Sequence, residues 1–455
     1  MKGNSLTFKP LVGIFTAAIS VSSAQATLVV NLDASALAQA NNTTVAAWGP
    51  LTSTGTPTFQ TNRTPNGGSA VVFNGTDRLN DNFFVPASAA NDFIVAAVIK
   101  PTAINAYHNI IDDDAQNRPM LWVDNLNRYE PNFGGGTGNK AIGTGPSGWD
   151  VVIFDSRTNK LLLNGNFATG GGAIAHSVGE NFDFFHRDGG QTFQGEVAEL
   201  RVYNNAADFD GKFGALASDL RTKWIGSAFA SVEIEQGQVS GLTPSTLLAT
   251  SLPVAQGQNN VALASNGGLA FAQDVINLAD PRNFRPFRAN DGLYSDAPFS
   301  PAGTEPWIGL GLQSFVGIKF AGAADINRIG FQDEFVSRRN GTITLEYTTD
   351  SFGGVGLDAN LGLNPAQVAA LNWITIDSRL ISDTADTRHL YEFATLFGVT
   401  GIRMRVDASV SAGGSGVQFA VAELEAWGQI IPEPASLSLL MLGSLALGRR
   451  RRLQA

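Results

Sequence analysis

The chain alternates apolar with polar residues in short runs, and the runs are separated by clusters of Gly, Asn, Asp, Thr and Pro. A period of two predicts strands, and the clusters predict turns. Two runs nearly repeat each other: GEVAELRVYNNA begins at Gly195 and QFAVAELEAWGQ at Gln418. In the first, Ala198, Leu200 and Val202 share one face, opposite Glu199, Arg201 and Tyr203. In the second, Ala420, Ala422, Leu424 and Ala426 lie opposite Glu423, Glu425 and Trp427. Each reads as a strand with one buried side, closing its own β-sandwich. On this alternation Glu196 and Glu199, an odd number apart, point to opposite faces, whereas Glu423 and Glu425 share one.

Between these runs the period changes once. Phe209, Phe213, Leu216, Leu220 and Trp224 sit at helical spacing, with Asp208 as N-cap and Gly226 as stop. Upstream, VVFNG from Val71 and FIVAAVIKP from Phe93 read as strands; DVVIFD from Asp150 and KLLLNGN from Lys160 read as a hairpin. Downstream, PWIGLGL from Pro306, INRIGFQ from Ile326, GTITLEYTTD from Gly341 and GIRMRVDAS from Gly401 read as strands, the third of them half-buried. The expectation is all-β: two consecutive β-sandwich (jelly-roll) domains, over 27–229 and 231–428.

The two ends read differently. Lys2 and Lys9, an apolar run from Leu11 to Val21 and Ala24-Gln25-Ala26 have the order of a signal peptide over 1–26. Residues 431–455 hold Pro432-Glu433-Pro434, an uncharged stretch from Ala435 to Gly448, and Arg449, Arg450, Arg451 and Arg452. As a helix the apolar stretch would reach roughly 21 Å, short of a bilayer core of about 30 Å. Arginines at its end favour the cytoplasmic side. The pattern predicts a sorting tag that holds the chain briefly in the inner membrane. A net charge of -10 disfavours nucleic acid and anionic surfaces as partners. With no cysteine, cores and metal ions must do what disulfides do in other exported proteins.

Three resemblances follow from these residues. FNGTD (73–77), FIVAAVIKP (93–101), LLLNG (161–165), GEVAELRVYN (195–204) and the following helix resemble laminin-G-like, or concanavalin-A-like, domains of bacterial surface proteins. The Asn-Asp-Gly loop at 290–292, the Trp-Ile-x-Leu-Gly-Leu run at 307–312 and the Ala-Glu-Leu-Glu run at 422–425 resemble a discoidin, or coagulation-factor C-type, domain of the galactose-binding type. Gly309 or Leu310 stands where that family has Asp in the tryptophan strand. The discoidin resemblance implies a structural Ca²⁺, matching Asp291, Ser295 and Glu423, with backbone carbonyls completing the oxygen set. The alternative is a plain turn beside a solvated Glu423. The tail resembles the PEP-CTERM sorting signal, which implies processing by exosortase in a Gram-negative bacterium that makes exopolysaccharide.

Catalytic chemistry finds little support. The histidines are His108, His176, His186 and His389, without metal-ligand spacing. His176 and His186 read as surface-loop residues, with a facing pair across a hairpin as the alternative. Asp112, Asp113 and Asp114 read as a solvated loop, with a metal site as the alternative. The glycosidase motif of three acidic residues on one concanavalin-type strand is incomplete at Glu196/Glu199 and at Glu423/Glu425. Gly-Gly-Gly at 134–136 and 170–172 lacks the following Lys of a phosphate loop. For stacking on sugars, Tyr107, Tyr129 and Tyr294 fall in predicted loops, and Tyr294 leads because it adjoins the Asp-Gly loop. Trp48, Trp149, Trp307, Trp373 and Trp427 read as core. The resulting expectation is an exported, non-catalytic protein of the cell surface or exopolysaccharide matrix that binds glycan. Its processing partners would be signal peptidase and exosortase. A structural protein without a ligand and a carbohydrate-active hydrolase are the alternatives.

Overall fold

The computed structural model describes residues 28–84, 93–102, 107–113, 118–124, 128–131, 148–156, 160–168, 181–186, 192–204, 213–238, 259–276, 284–292, 306–333, 338, 341–381, 383, 387–409 and 418–431. The fold is all-β, in sandwiches of antiparallel strands. In the first half, a nine-stranded sheet has Phe93–Pro101 and Gln194–Asn204 side by side near its centre. A seven-stranded sheet lies in the same half, with His108–Asp113 and Asn181–Phe184 near its middle. One apolar core draws on both sheets, from Phe73, Phe93 and Phe154 on one to Ile111, Phe182 and Phe184 on the other. Phe73 packs on Phe185 with ring centroids 4.8 Å apart.

The predicted hairpin is present, with Val152 opposite Leu163 and Asp155 opposite Lys160. The helix runs from Phe213 to Ile225 and buries Phe213, Leu216, Leu220 and Trp224. Full burial of such a side chain contributes about 1.5–3 kcal/mol. Gly226, at φ 88°, ends the helix in a left-handed turn and donates its N–H to the Arg221 and Thr222 carbonyls. Asp208 and Phe209 lie outside the described residues. The nine-stranded sheet is covered on its second face by this helix, so Phe93–Pro101 is apolar almost throughout and buried on both sides.

In the second half one sheet of nine strands carries the fold. Its centre is Ala420–Ile430, Phe315–Asp333 and Thr387–Ser409, flanked by Gly341–Thr348 and Ile374–Ile381. Phe315–Asp333 has 19 residues and Thr387–Ser409 has 23. Such lengths do not stay flat. The register between them shifts three times from Lys319 to Arg328, where the strands bend. Val232–Gln238 follows the helix and pairs with Thr387–Ser409. The Gly341–Thr348 strand departs from its half-buried expectation: Thr344 and Glu346 are buried as well, because Arg403 bonds to Glu346 across the sheet.

Candidate functional site

Both closing strands differ from the expected one-sided burial. In Gln194–Asn204 every residue from Gly195 to Leu200 is buried. In Ala420–Ile430 every residue from Ala420 to Gly428 is buried. The glutamate faces are therefore interior, and what neutralises each carboxylate decides its chemistry.

In the first half a bulge corrects the expected orientation. Val197 pairs with Ile99 and Glu199 with Val98, so Ala198 is an extra residue. Glu196 pairs with Lys100, two residues from Val98, so Glu196 and Glu199 share a face. Cations saturate both. Glu196 accepts from Arg63 Nε at 2.8 Å and Nη2 at 2.6 Å, and from Lys100 Nζ at 3.2 Å. Burial works against its charge, but these two partners hold its carboxyl below the usual range. Glu199 accepts from Lys223 at 2.8 Å, Arg201 at 2.5 Å and the Trp224 indole N–H. Lys223 and Trp224 come from the helix, which thus docks through polar as well as apolar groups.

In the second half Glu425 is treated similarly. Arg388 donates to its two oxygens at 2.8 and 2.6 Å, and Trp427 Nε1 donates at 2.8 Å. Glu423, two residues earlier on the same face, is not. Its Oε2 accepts one backbone N–H, from Gly292 at 3.1 Å. Among the described residues nothing donates to its Oε1, and the residue is 1% exposed. Burial pushes its carboxyl well above the usual value, and the charges of Glu425 and Asp291 add to the push. The solvated-Glu423 alternative is thereby overturned.

The 284–292 segment supplies the other wall. Pro286–Asn290 is a 3₁₀ turn, Asn290 donates to the Ala262 and Gly268 carbonyls at 3.0 and 3.2 Å, and Gly292 takes φ 81°. Asp291 follows, with Arg288 Nη1 3.3 Å from its carboxylate. The Asp-Gly loop touches the closing-strand glutamate, and a carboxylate oxygen is buried there with nothing donating to it. Asp291 and Glu423 would hold a hard cation, and such an ion would take the place of the proton that burial favours on Glu423. Ser295 and Tyr294 lie outside the described residues, as do the signal peptide, His176, Asp114, both Gly-Gly-Gly runs and the tail from Pro432 to Arg452.

Other candidates move. Tyr129 is not in a loop: it lies in a short strand, 2% exposed, with its hydroxyl donating to Asp150 at 2.8 Å. Tyr107 stays exposed and stacks on Trp122 with centroids 4.8 Å apart. Trp48, Trp307 and Trp427 are buried as expected; Trp149 and Trp373 are half-buried. Asp112 and Asp113 are in a strand, and Asp112 is buried. His186 is buried rather than in a surface loop, with Nε2 2.9 Å from Arg78 Nη1. His389, which carries no role in the sequence reading, is 2% exposed among Glu233, Asp333 and Asp383. No local spacing announces that group, because its members are up to 156 residues apart.

Comparison with known proteins agrees with the tail. Residues 431–452 match the PEP-CTERM protein-sorting motif. A search of curated proteins returned no match. Among solved structures, the chain is similar to a Streptococcus pneumoniae beta-galactosidase, BgaA, at 18% identity and TM-score 0.27, over 38% of this chain and 98% of that one. It is similar to domain 4 of AbnA, an extracellular arabinanase of Geobacillus stearothermophilus, at 18% identity and TM-score 0.27, over 41% and 97%. It is also similar to the family 32 carbohydrate-binding module of C. perfringens NanJ, at 8% identity and TM-score 0.24, over 37% and 98%. The sorting motif marks this chain as an exported protein that is handled by exosortase.

Proposed function

We propose that the protein binds glycan at the bacterial surface or in its exopolysaccharide matrix, without catalysis, and that the second sandwich is the binding module, built around a structural Ca²⁺. The observation that carries this reading is the Glu423 oxygen, buried without a donor against the Asp291–Gly292 loop. The discoidin resemblance implies a cation there, and the ion would hold Asp291 and Gly292 against the closing strand. The ligand class follows that resemblance and the export address. The laminin-G-like reading of the first sandwich belongs to the same proposal.

The non-catalytic part rests on the carboxylates. Hydrolysis of a glycosidic bond needs two of them flanking it, one able to give a proton. Glu196 and Glu199 share a face, but each is bound to basic side chains. Glu425 is locked to Arg388 with 0% side-chain exposure. A glycan array probed with the full chain, in calcium and again in chelator, tests the reading. Saturable, calcium-sensitive binding that is lost in Asp291→Asn is expected. Absence of binding in both conditions would leave a structural matrix protein, and release of sugar from the array would make it a hydrolase.

A further inference from the structure

A second polar cluster lies on the opposite face of the same central strands. Ladder register assembles it. Phe331 stands opposite His389, and Glu233 opposite Tyr391. Cross-strand partners share a face, as do residues two apart, so Phe331, Asp333, His389, Tyr391 and Glu233 face one way. Asp383 joins them from the segment before Thr387. Phe331 stacks on the His389 ring at 4.9 Å between centroids, which fixes the ring plane.

Each ring nitrogen meets a carboxylate. Nδ1 is 2.6 Å from Glu233 Oε1. The other oxygen of Glu233 accepts the Phe167 N–H at 2.7 Å, from the first half of the molecule. Nε2 is 2.8 Å from Asp383 Oδ2 and 4.0 Å from Asp333 Oδ2. Asp333 Oδ1 accepts the Thr387 N–H at 2.8 Å, while its Oδ2 has no hydrogen-bond partner among the described residues, in a residue of 0% exposure. Burial pushes the Asp333 carboxyl up to about 8, and the Asp383 charge adds to this. One imidazole nitrogen and two carboxylate oxygens thus lie within 4.8 Å of one another, on three buried residues.

We propose that Asp333, Asp383 and His389 bind one divalent transition cation of the Zn²⁺ class, with Glu233 as the positioning residue. A mixed nitrogen and oxygen set suits Zn²⁺, whereas Ca²⁺ takes six to eight oxygens. A carboxylate on the far nitrogen holds Nδ1 protonated and frees Nε2 for the metal, an arrangement metal-binding histidines use widely. Binding puts the cation where the Nε2 proton sits, and that proton and the one Asp333 holds below about 8 go to solvent. Because Glu233 also holds the Phe167 amide, the ion would strengthen the junction between the halves.

The test uses the full chain, unfolded in guanidinium with chelator, refolded, and dialysed against Zn²⁺ in excess Ca²⁺. One Zn²⁺ per chain and a higher thermal midpoint are expected. Asp333→Asn keeps the Thr387 acceptor and should lose binding at least about tenfold; Glu233→Gln should weaken it about 10–100-fold. Wild-type chain that retains no zinc, or Asp333→Asn that retains as much as wild type, overturns the proposal, whether or not a His389 variant folds.

Discussion

The two closing strands carry the same tetrapeptide, Val-Ala-Glu-Leu, at 197–200 and 421–424. Its glutamate is 1% exposed in both. Glu199 has Lys223, Arg201 and the Trp224 indole around it. Glu423 has a single backbone N–H and one oxygen with no donor. The difference comes from what crosses the strand, not from the strand. A helix delivers a cation and an indole to the first; an Asp-Gly loop delivers more negative charge to the second. A buried carboxylate that the protein neutralises is a fastener, and one it leaves unneutralised is a place for something else.

The largest effect should come from breaking the saturated pair beside Glu423. Arg388→Ala strands Glu425 at 0% side-chain exposure and should cost about 3–5 kcal/mol in denaturant unfolding. Glu199→Ala should cost less, about 1–3 kcal/mol, because Lys223 and Arg201 can turn partly to water while Trp224 Nε1 cannot. A cost for Glu199→Ala no greater than for Glu423→Gln would break the comparison.

Acid sharpens it further. Arg63 and Lys100 outweigh burial and lower the Glu196 pKa from 4.5, so its ionised form is favoured in the folded state. The stabilisation is present above 4.5 and lost as pH falls through the lower, folded value. Thermal midpoints of wild type and Glu196→Gln should therefore differ at pH 7 and converge in acid. Convergence on raising the pH instead would reverse the assignment. The smallest of these effects belongs to Lys100→Ala: its side chain is 36% exposed, and calorimetry should find about 0.2–1 kcal/mol.

Strand periodicity, the hairpin at 150–163 and the apolar stripe of the helix were legible because each is a local pattern. The buried glutamate faces were not, because the covering groups, Lys223 and Trp224 or Arg388 and Gly292, come from distant sequence. The bulge at Ala198 was equally hidden: alternation counts residues and cannot see one that the ladder skips. Asp291 and Glu423 were legible only through family resemblance, and the structure brings their loop and strand into contact. His389 was illegible, since its three carboxylates come from residues 233, 333 and 383.

The most direct measurement is a calorimetric titration of Ca²⁺ into the full chain, beside Glu423→Gln and Glu199→Gln. Glutamine at 423 still accepts the Gly292 N–H, so in chelator that variant should match wild-type stability within about 1 kcal/mol. The account predicts one Ca²⁺ bound by wild type, none by Glu423→Gln, and undiminished binding by whatever fraction of Glu199→Gln is folded. Wild type that takes up no calcium, or Glu423→Gln that takes up as much as wild type, would contradict it.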